Sequence, residues 1–401
     1  MPYPNKMNER TKLVLKSGKD QSLRRFHPWV FSGAIKKIHG PAREGELVDI
    51  YDNKDEFLAT GHYQQGSIAV RVLSFGQKDL DQDFWENRIR QAWKLRDSLG
   101  MVDQEESNVF RWVNAEGDGM PGLIVDYYAG AVVVQMHSIG MYKNIEPIKE
   151  AILRVGGKRI HTIYNKSRGT LPDKPGIEER AGFLFGETKA GEVRENGYRF
   201  KVNWTEGQKT GFFIDQRENR SLLGKLSQGR SVLNMFGYTG GFSVYALGGG
   251  AERVHTVDSS GRAIDLTREN MELNFPGDKR HEAYAVDAFS FFKESKTSYD
   301  LIILDPPAFA KHQNVLSNAL QGYKRLNQRA FELIARGGIL FTFSCSQAVS
   351  KENFRKSVFV AAANAQRNVR ILHQLTQPAD HPISLYHPEG EYLKGLVLEV
   401  E

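Results

Sequence analysis

The feature that most constrains this chain is a regular alternation of strand-like and helical segments that begins at Ser231. The predicted strands cover residues 231–236, 253–257, 283–286, 301–304 and 339–343, and the predicted helices cover 242–247, 261–274, a long segment ending near Arg336, and 351–366. Alternation at this spacing predicts an α/β architecture, a Rossmann-like parallel sheet with helices on both faces. The last apolar runs, 369–375 and 396–400, have no helix between them and predict an antiparallel terminal hairpin.

A glycine-rich turn follows the first predicted strand and opens the next helix. Its candidate ligand-binding residues are Phe236, Gly237, Thr239 and Gly240. In a doubly wound sheet this turn lies at the carboxyl edge, where nucleotides bind and where glycine lets the backbone approach a ligand. The spacing differs from the GxGxxG of dinucleotide sites. The turn therefore suits a nucleoside that carries no pyrophosphate.

Carboxylates end the second and third predicted strands. Asp258 stands at the position where a carboxylate accepts hydrogen bonds from ribose hydroxyls. Asp287, followed by Ala288, is placed to accept a hydrogen bond from an adenine amino group. The alternative for either aspartate alone is a helix N-cap. Their succession on neighbouring strands favours a ligand.

The fourth predicted strand ends in Asp305, Pro306 and Pro307. Two consecutive prolines impose an extended exit from the strand and hold the preceding carboxylate at the ligand edge. The order of a glycine turn, two aspartates and an Asp-Pro-Pro sequence resembles the S-adenosylmethionine (AdoMet) site of a class I methyltransferase. AdoMet is therefore the expected cofactor.

Cys345, the single cysteine of the chain, ends the fifth predicted strand and is expected beside Asp305. An inert buried thiol is the usual outcome for such a residue. At this edge, however, a thiolate can add to C6 of a pyrimidine and so activate C5 toward methylation. Cys345 and Asp305 are the candidate catalytic residues of such a reaction.

The base that removes the C5 proton is left unassigned by the sequence. Asp305 is one candidate, although it can instead hold the N3/N4 edge of cytosine. His381, Glu389 and Glu391 are weaker candidates, because a histidine in a surface loop is usually solvated. Basic residues near the Asp-Pro-Pro sequence suit a phosphate backbone or an ordinary charged helix surface. They are Lys311, Lys324, Arg325, Arg329, Arg336, Arg355, Lys356, Arg367 and Arg370.

The amino-terminal end of the chain is its most basic part, within a formal net charge of +6. Its first forty residues carry Lys6, Arg10, Lys12, Lys16, Lys19, Arg24, Arg25, Lys36 and Lys37 against Glu9 and Asp20. Short apolar runs broken by turns predict a small β-rich module here, which binds RNA or packs on its neighbour. We expect three domains: a β-rich domain over 1–75, a mixed α+β domain over 76–186, and an AdoMet-dependent domain over 187–401. Residues 169–191 are expected to cross the surface between the last two.

The composition argues against a disulfide-stabilised or metal-binding protein and against a membrane protein. One cysteine forms no internal disulfide, and no Cys/His cluster marks a metal site. No stretch reaches the roughly 20 apolar residues of a membrane span, and the first residues lack the apolar core of a signal peptide. We therefore expect a cytoplasmic protein with no membrane partner.

Several motifs together resemble the bacterial 23S (large-subunit) ribosomal RNA cytosine-5 methyltransferases that carry an amino-terminal PUA domain. The motifs are residues 25–33 (RFHPWVFSG), 114–123 (NAEGDGMPGL), 207–217 (GQKTGFFIDQR), the Gly237 turn, the Asp-Pro-Pro sequence, and 343–346 (FSCS). The resemblance implies that Phe213, Asp215 and Gln216 join the AdoMet site and that Cys345 is the nucleophile. It also implies that the β-rich domain over 1–75 is a PUA-like RNA-binding domain and that ribosomal RNA is the partner, and it leaves a homodimer open.

Two positions depart from related enzymes, and two alternatives remain. Asn234 stands where many class I methyltransferases place an acidic residue, and Ala308 stands where other RNA cytosine-5 enzymes carry a second cysteine. A guanine or adenine N-methyltransferase shares the Asp-Pro-Pro-aromatic pattern and would not need Cys345. An RNA-binding factor that retains AdoMet without turnover is the second alternative.

Overall fold

The protein is described by a computed structural model that covers residues 10–76, 79–172, 181–310 and 315–401. The chain divides into two compact units. The first unit comprises residues 1–191, 203–211 and 379–390, and the second comprises 192–202, 212–378 and 391–401. The expected boundaries after residues 75 and 186 stay a prediction. Lys6, Glu9 and Lys311 lie outside the described residues.

A six-stranded sheet forms the amino-terminal part of the first unit. Its strands are β1 (Thr11–Leu15), β2 (Trp29–Phe31), β3 (Ile35–His39), β4 (Leu47–Tyr51), β5 (Phe57–Tyr63) and β6 (Ile68–Ser74), and a one-turn helix α1 (Gln21–Arg24) follows β1. The strand order is β2-β6-β5-β4-β1-β3, with only β1 and β4 parallel. Alternate residues such as Leu13, Leu15, Val48 and Ile50 face one buried core, as the period of two along a strand requires.

The rest of the first unit combines a five-stranded sheet with helices. Its elements are α2 (Gln82–Ser98), β7 (Val109–Asn114), β8 (Leu123–Tyr128), β9 (Ala131–Met136), α3 (Ile139–Lys143), α4 (Ile145–Gly156), β10 (Thr162–Asn165) and β11 (Gly182–Phe185). The strand order is β11-β10-β9-β8-β7. Helix α2 begins where the Asp81 carboxylate accepts a hydrogen bond from the Phe84 N–H, and its Trp85 and Ile89 lie in one core with Ile152 of α4.

The expected surface crossing over residues 169–191 is partly wrong. Within its described part, β11 pairs antiparallel with β10, with Phe183 opposite Tyr164. A further strand, β12 (Ala190–Glu195), forms a two-stranded sheet with β13 (Tyr198–Asn203). Glycine and proline content indicates a loop here, but a sheet edge supplies backbone partners that no local pattern shows.

The second unit contains a seven-stranded sheet with the order β16-β15-β14-β17-β18-β20-β19. Its strands are β14 (Ser231–Met235), β15 (Arg253–Asp258), β16 (His281–Ala285), β17 (Tyr299–Leu304), β18 (Ile334–Ser344), β19 (Val369–Leu375) and β20 (Lys394–Val400). Its helices are α5 (Arg217–Lys225), α6 (Gly241–Gly248), α7 (Gly261–Asn274), α8 (Ala288–Glu294), α9 (Leu316–Leu333) and α10 (Lys351–Asn364). The expected α/β sheet is confirmed.

The strand order of this sheet determines where a ligand can bind. The chain moves outward from β14 in both directions, so a crevice opens at the carboxyl ends of β14 and its neighbours. Strands β14 to β18 are parallel, whereas β20 is antiparallel to both β18 and β19, as predicted for the terminal hairpin. Helix α9 ends at Leu333 instead of near Arg336, because β18 starts at Ile334, opposite Tyr299.

Candidate active site

The glycine-rich turn after β14 is held in an unusual backbone conformation. Phe236 and Tyr238 have φ of 60° and 46°, and Gly240 has φ of 76°. A Cβ atom at position 237 would lie 2.3 Å from Thr256 Cγ2. The packing of the turn itself therefore requires glycine at 237, and the left-handed φ favours it at 240, whatever the turn binds.

The Asp258 carboxylate anchors this turn from the end of β15. Its Oδ2 accepts a hydrogen bond from the Tyr238 N–H at 3.0 Å, and its Oδ1 accepts one from the Ser260 N–H at 2.9 Å. A carboxylate has about four acceptor positions, so two remain for ligand hydroxyls. Thr239 is buried in the same turn, and its carbonyl accepts a hydrogen bond from Asn270 at 2.9 Å.

Asp287 is an N-cap, the alternative that the sequence left open. Its Oδ1 accepts hydrogen bonds from the Phe289 and Ser290 N–H groups at 3.0 and 3.1 Å, at the start of α8. Its Oδ2 accepts none from the described residues. Ala288 is buried as the first residue of α8. Capping uses one carboxylate oxygen and leaves the other available to a ligand.

The segment that precedes α5 lies against both the turn and the Asp-Pro-Pro sequence. The Phe213 ring packs edge-on against Tyr238, with 5.2 Å between ring centroids. Buried Gln216 donates a hydrogen bond from Nε2 to Asp305 Oδ2 at 3.0 Å, and its Oε1 accepts one from Asn219 at 2.6 Å. These contacts place Phe213 and Gln216, which the family resemblance implied, at the carboxyl edge of the sheet that the strand pattern predicts.

Asp215 lies beside Gln216 and is also buried. Its Oδ2 accepts a hydrogen bond from the Tyr392 hydroxyl at 2.6 Å. Tyr392 directly precedes Leu393 and β20, so the carboxyl-terminal hairpin contributes to this edge of the sheet. The sequence contained no signal for that contact, because 177 residues separate the partners.

Cys345 follows the last residue of β18 and lies next to the Asp-Pro-Pro sequence. Leu304 is paired with Thr342, so the two strands end side by side. The Cys345 sulfur lies 4.0 Å from the carbonyl oxygen of buried Pro306. The thiol and the Asp305 carboxylate are both half-buried, so both are reachable from the crevice.

The serines on either side of Cys345 are fully buried and hydrogen-bonded. Ser344 Oγ donates to the Tyr323 hydroxyl at 2.9 Å, and Ser346 Oγ lies 3.0 Å from the same hydroxyl. Lys394 Nζ donates to the Ser346 carbonyl at 2.7 Å. Tyr323 and Lys394 are functional candidates that sequence reasoning missed. The one available signal was a lysine within the apolar run of the last strand.

The weaker candidates for the base differ in their surroundings. His381 is not solvated as expected, because it is 1% exposed and its Nδ1 lies 3.0 Å from Asp380 Oδ1. It belongs to the first unit, as does Glu389. Glu391 belongs to the second unit and pairs with Lys351. The positions of these residues favour none of them over Asp305.

The basic residues predicted to suit a phosphate backbone fall into two groups. Arg329, Lys356 and Arg370 pair with acidic residues, and Arg367 donates to backbone carbonyls. Lys324, Arg325, Arg336 and Arg355 have no acidic partner within the described parts of the chain. Among the described residues of this set, only the second group is available to an anionic ligand without breaking an ion pair or, for Arg367, hydrogen bonds to backbone carbonyls.

Two family models match this chain. Residues 125–385 match S-adenosylmethionine-dependent methyltransferases, and residues 13–75 match PUA-like domains. The chain belongs to the S-adenosylmethionine-dependent methyltransferase family. The predictions of a PUA-like domain, of a class I methyltransferase fold and of AdoMet as cofactor are confirmed.

Curated relatives cover nearly the whole methyltransferase chain. A protein named ribosomal RNA large subunit methyltransferase I from Aeromonas salmonicida is 40% identical over 393 residues, which cover 96% of this chain and 98% of the relative. A protein of the same name from Vibrio cholerae is 39% identical over 396 residues, which cover 97% and 99%. These names state neither the methylated base nor the mechanism.

Solved structures share the fold of this methyltransferase. A Streptococcus mutans protein assigned as a SAM-dependent methyltransferase superposes with a TM-score of 0.84, covers 97% of this chain and 99% of its own, and is 23% identical. A methyltransferase structure with the same similarity was determined in complex with SAH. At this identity the likeness shows the fold alone.

The residues of the crevice fit AdoMet chemically. Asp258 retains acceptor positions for a ribose diol, and Asp287 retains one oxygen for an amino group. The carboxylates of Asp215 and Asp305 suit the positive charges of the sulfonium and the methionine ammonium.

No described helix is long and apolar enough to cross a membrane.

Proposed function

We propose that this methyltransferase forms 5-methylcytosine in large-subunit ribosomal RNA, with Cys345 as the covalent nucleophile. The relatives' names give ribosomal RNA of the large subunit as their substrate. The observation that carries the choice of base is the position of Cys345, half-buried at the end of β18 and 4.0 Å from the Pro306 carbonyl. Methylation at an exocyclic nitrogen has no use for a thiol at that place.

The reaction uses the Cys345 thiolate to make C5 of cytosine nucleophilic. The sulfur lone pair forms a bond to C6, and the electrons of the C5=C6 bond move to C5, which then accepts the methyl group. When bound, AdoMet supplies that group as the electrophilic methyl of a sulfonium. A base then removes the C5 proton, the C5=C6 bond reforms, and the carbon–sulfur bond breaks to return the thiolate.

The cofactor residues are assigned to one crevice. Asp258 takes the ribose hydroxyls and Asp287 the adenine amino group, while Phe236, Gly237, Thr239, Gly240 and Ala288 form the wall around the nucleoside. Phe213, Asp215, Gln216 and Pro306 close the other side, toward the reacting methyl group. The hydrogen bonds of Gln216 to Asp305 and Asn219 support this arrangement, because they fix the orientation of both side chains.

Asp305 has one of two roles in this proposal. It removes the C5 proton, or it accepts a hydrogen bond from the cytosine amino group and orients the base. Asp305→Asn separates the two, because an amide is no base but can still hydrogen-bond the cytosine. Retention of the cysteine adduct without release of product assigns proton removal to Asp305.

The first unit supports the capture of RNA. Lys19, Arg25, Lys36 and Lys37 are exposed and have no acidic partner among the described residues. Phe26 is half exposed, has a φ of 64°, and packs its ring 5.3 Å from Phe75. Exposed aromatic rings stack on unpaired bases, and free cations contact phosphates. An RNA substrate is consistent with a cytoplasmic location, and a homodimer stays open.

Incubation with radiolabelled AdoMet and protein-free ribosomal RNA, followed by nucleoside analysis, tests the proposed function. Labelled 5-methylcytidine from the wild type, and none from Cys345→Ala, is the expected result. Gln347→Ala is the matched control, since Gln347 is an exposed residue two positions after Cys345. Labelled N-methylguanosine or N-methyladenosine would overturn the proposal and show that the protein is an N-methyltransferase. The absence of label from every nucleoside would support the alternative of a non-enzymatic RNA-binding factor.

A further inference from the structure

Lys394 is a buried lysine of the second unit. It is 5% exposed, although lysine side chains normally remain in solvent. Strand β20 begins at Lys394, which is paired in register with Ser344, the residue before Cys345. Burying an ammonium without a compensating partner is costly, so its location calls for a function.

The Lys394 ammonium and the Tyr323 hydroxyl hold the two residues that flank Cys345. Lys394 Nζ donates to the Ser346 carbonyl at 2.7 Å, and the Tyr323 hydroxyl bridges the Ser344 and Ser346 side chains. The Ser346 hydroxyl also accepts a hydrogen bond from the Ala310 N–H at 3.3 Å. The Cys345 side chain, between these two anchored serines, is directed toward Pro306.

The charges that face Lys394 are few. Burial is the main cause that lowers the pKa of Lys394 from 10.5 to about 8, and the positive charge of Lys351 lowers it further. The Cys345 thiolate and the Glu391 carboxylate oppose this by favouring the ammonium. Cys345 also faces the Tyr323 hydroxyl, and Asp305 follows the adjacent strand. Electrostatic attraction is mutual, so the ammonium favours the thiolate by the same energy.

We propose that Lys394 is a positioning residue for Cys345, which holds the Ser346 backbone and keeps the neighbouring sulfur in its thiolate form. The catalytic importance of this inference rests on the proposed function, but its test does not require that function. A cytosine C6 is a weak electrophile, so the fraction of thiolate at neutral pH limits the first covalent step. The lysine supplies a buried positive charge beside the end of β18.

Alkylation of Cys345 by iodoacetamide across pH 6–10 tests the inference without RNA. Cys345 is the single cysteine, so the alkylation rate of the whole chain reports on this one sulfur. Lys394→Met removes the charge and the hydrogen-bond donor, and Lys394→Gln removes the charge but keeps an N–H donor. We expect both variants to react about three- to tenfold more slowly at pH 7, with the midpoint of the rate profile displaced to higher pH.

Two further variants serve as controls. Lys394→Arg keeps the positive charge and is expected to restore most of the alkylation rate at pH 7. Lys356→Met removes an exposed ammonium that pairs with Glu352 on α10, and its profile should match the wild type. Circular dichroism verifies that each variant is folded, and if Lys394→Met does not fold, Lys394→Gln carries the test.

The outcomes separate this inference from the proposed function. An unchanged pH profile in folded Lys394→Gln overturns the role of Lys394, even if Cys345 proves to be the nucleophile. A displaced profile combined with 5-methylcytidine formation by Cys345→Ala supports the effect of Lys394 on the thiolate and overturns the covalent mechanism.

Discussion

The two halves of the crevice are built in different ways. At the ends of β15 and β16, Asp258 and Asp287 are held by backbone N–H groups only a few residues away or on the adjacent turn. At the ends of β17 and β18, Cys345 lies within a network of buried side chains from α9 and β20. In the first half each aspartate holds its own turn through backbone N–H groups and leaves acceptor positions for a ligand, whereas in the second half side chains from distant elements hold the reactive residue.

Removal of the thiol has the largest expected effect. Cys345→Ala should abolish methylation of ribosomal RNA, because C5 is then never activated. AdoMet affinity, measured by calorimetry, should stay within about twofold of the wild type, since in the proposed mechanism the thiol faces the cytosine and not the cofactor. A large loss of AdoMet affinity would show that the halves are coupled.

Loss of the free cations in the first unit should have the next largest effect. Replacing Lys19, Arg25, Lys36 and Lys37 by Gln should weaken RNA binding about tenfold or more at moderate salt. The slope of log affinity against log salt should fall by up to about 0.7–0.9 for each cation that contacts a phosphate. AdoMet affinity should not change.

A charge-matched control belongs to this measurement. It replaces four cations of the second unit that already pair with acidic residues, namely Arg199, Lys201, Arg268 and Lys356. Equal salt slopes for the two quadruple variants would mean that the amino-terminal module contributes only nonspecific charge.

Asp258→Ala tests the half of the crevice that is held by backbone. Truncating a group that hydrogen-bonds a ligand costs about 1–3 kcal/mol, so AdoMet should bind about tenfold more weakly or worse. Calorimetry measures this, and Asp265→Ala, an exposed aspartate paired with Arg268, is the control. Unchanged affinity would remove Asp258 from the cofactor site.

Tyr323→Phe tests the half of the crevice around Cys345 by removing a single hydroxyl group. It removes one hydroxyl that two buried serines use, so thermal unfolding should show the free energy of unfolding lowered by about 1–3 kcal/mol. Tyr284→Phe, whose hydroxyl contacts exposed Glu282, should cost much less. If Tyr323→Phe leaves both stability and methylation unchanged, the network does not support the Cys345 turn.

The difference between the halves also explains what the sequence predicts. Asp258 and Asp305 are found from the strand pattern, because parallel strands end at the same edge and the residue after each strand faces the crevice. Lys394 and Tyr392 reach the same edge only because β20 inserts between β18 and β19. That insertion is a long-range pairing that local periodicity does not encode. Gln216 was assigned to this edge only through a family resemblance, and its hydrogen bond to Asp305 was not predicted.

Burial was the other property that local patterns did not give. His381 lies in a proline-rich loop, and the sequence predicts that it is solvated. The structure buries it, because the neighbouring Asp380 is held in place: the Asp380 carboxylate accepts a hydrogen bond from the Arg111 backbone N–H, and the Asp380 carbonyl accepts one from the Arg96 side chain. The sequence around β11 is rich in glycine and proline, so it predicts a loop. A strand forms there because β11 pairs with β10 in the folded protein. Local composition predicts turns well only where no distant strand competes.

Trapping the covalent complex is the most direct test of the central claim. Ribosomal RNA containing 5-fluorocytidine is incubated with the enzyme and AdoMet, and the complex is digested and mapped by mass spectrometry. Fluorine at C5 cannot leave as a proton does, so a methylated RNA adduct on Cys345 should survive denaturing electrophoresis, and Cys345→Ala should form none. An adduct on another residue, or 5-methylcytidine production by Cys345→Ala at a rate comparable to the wild type, would contradict the account.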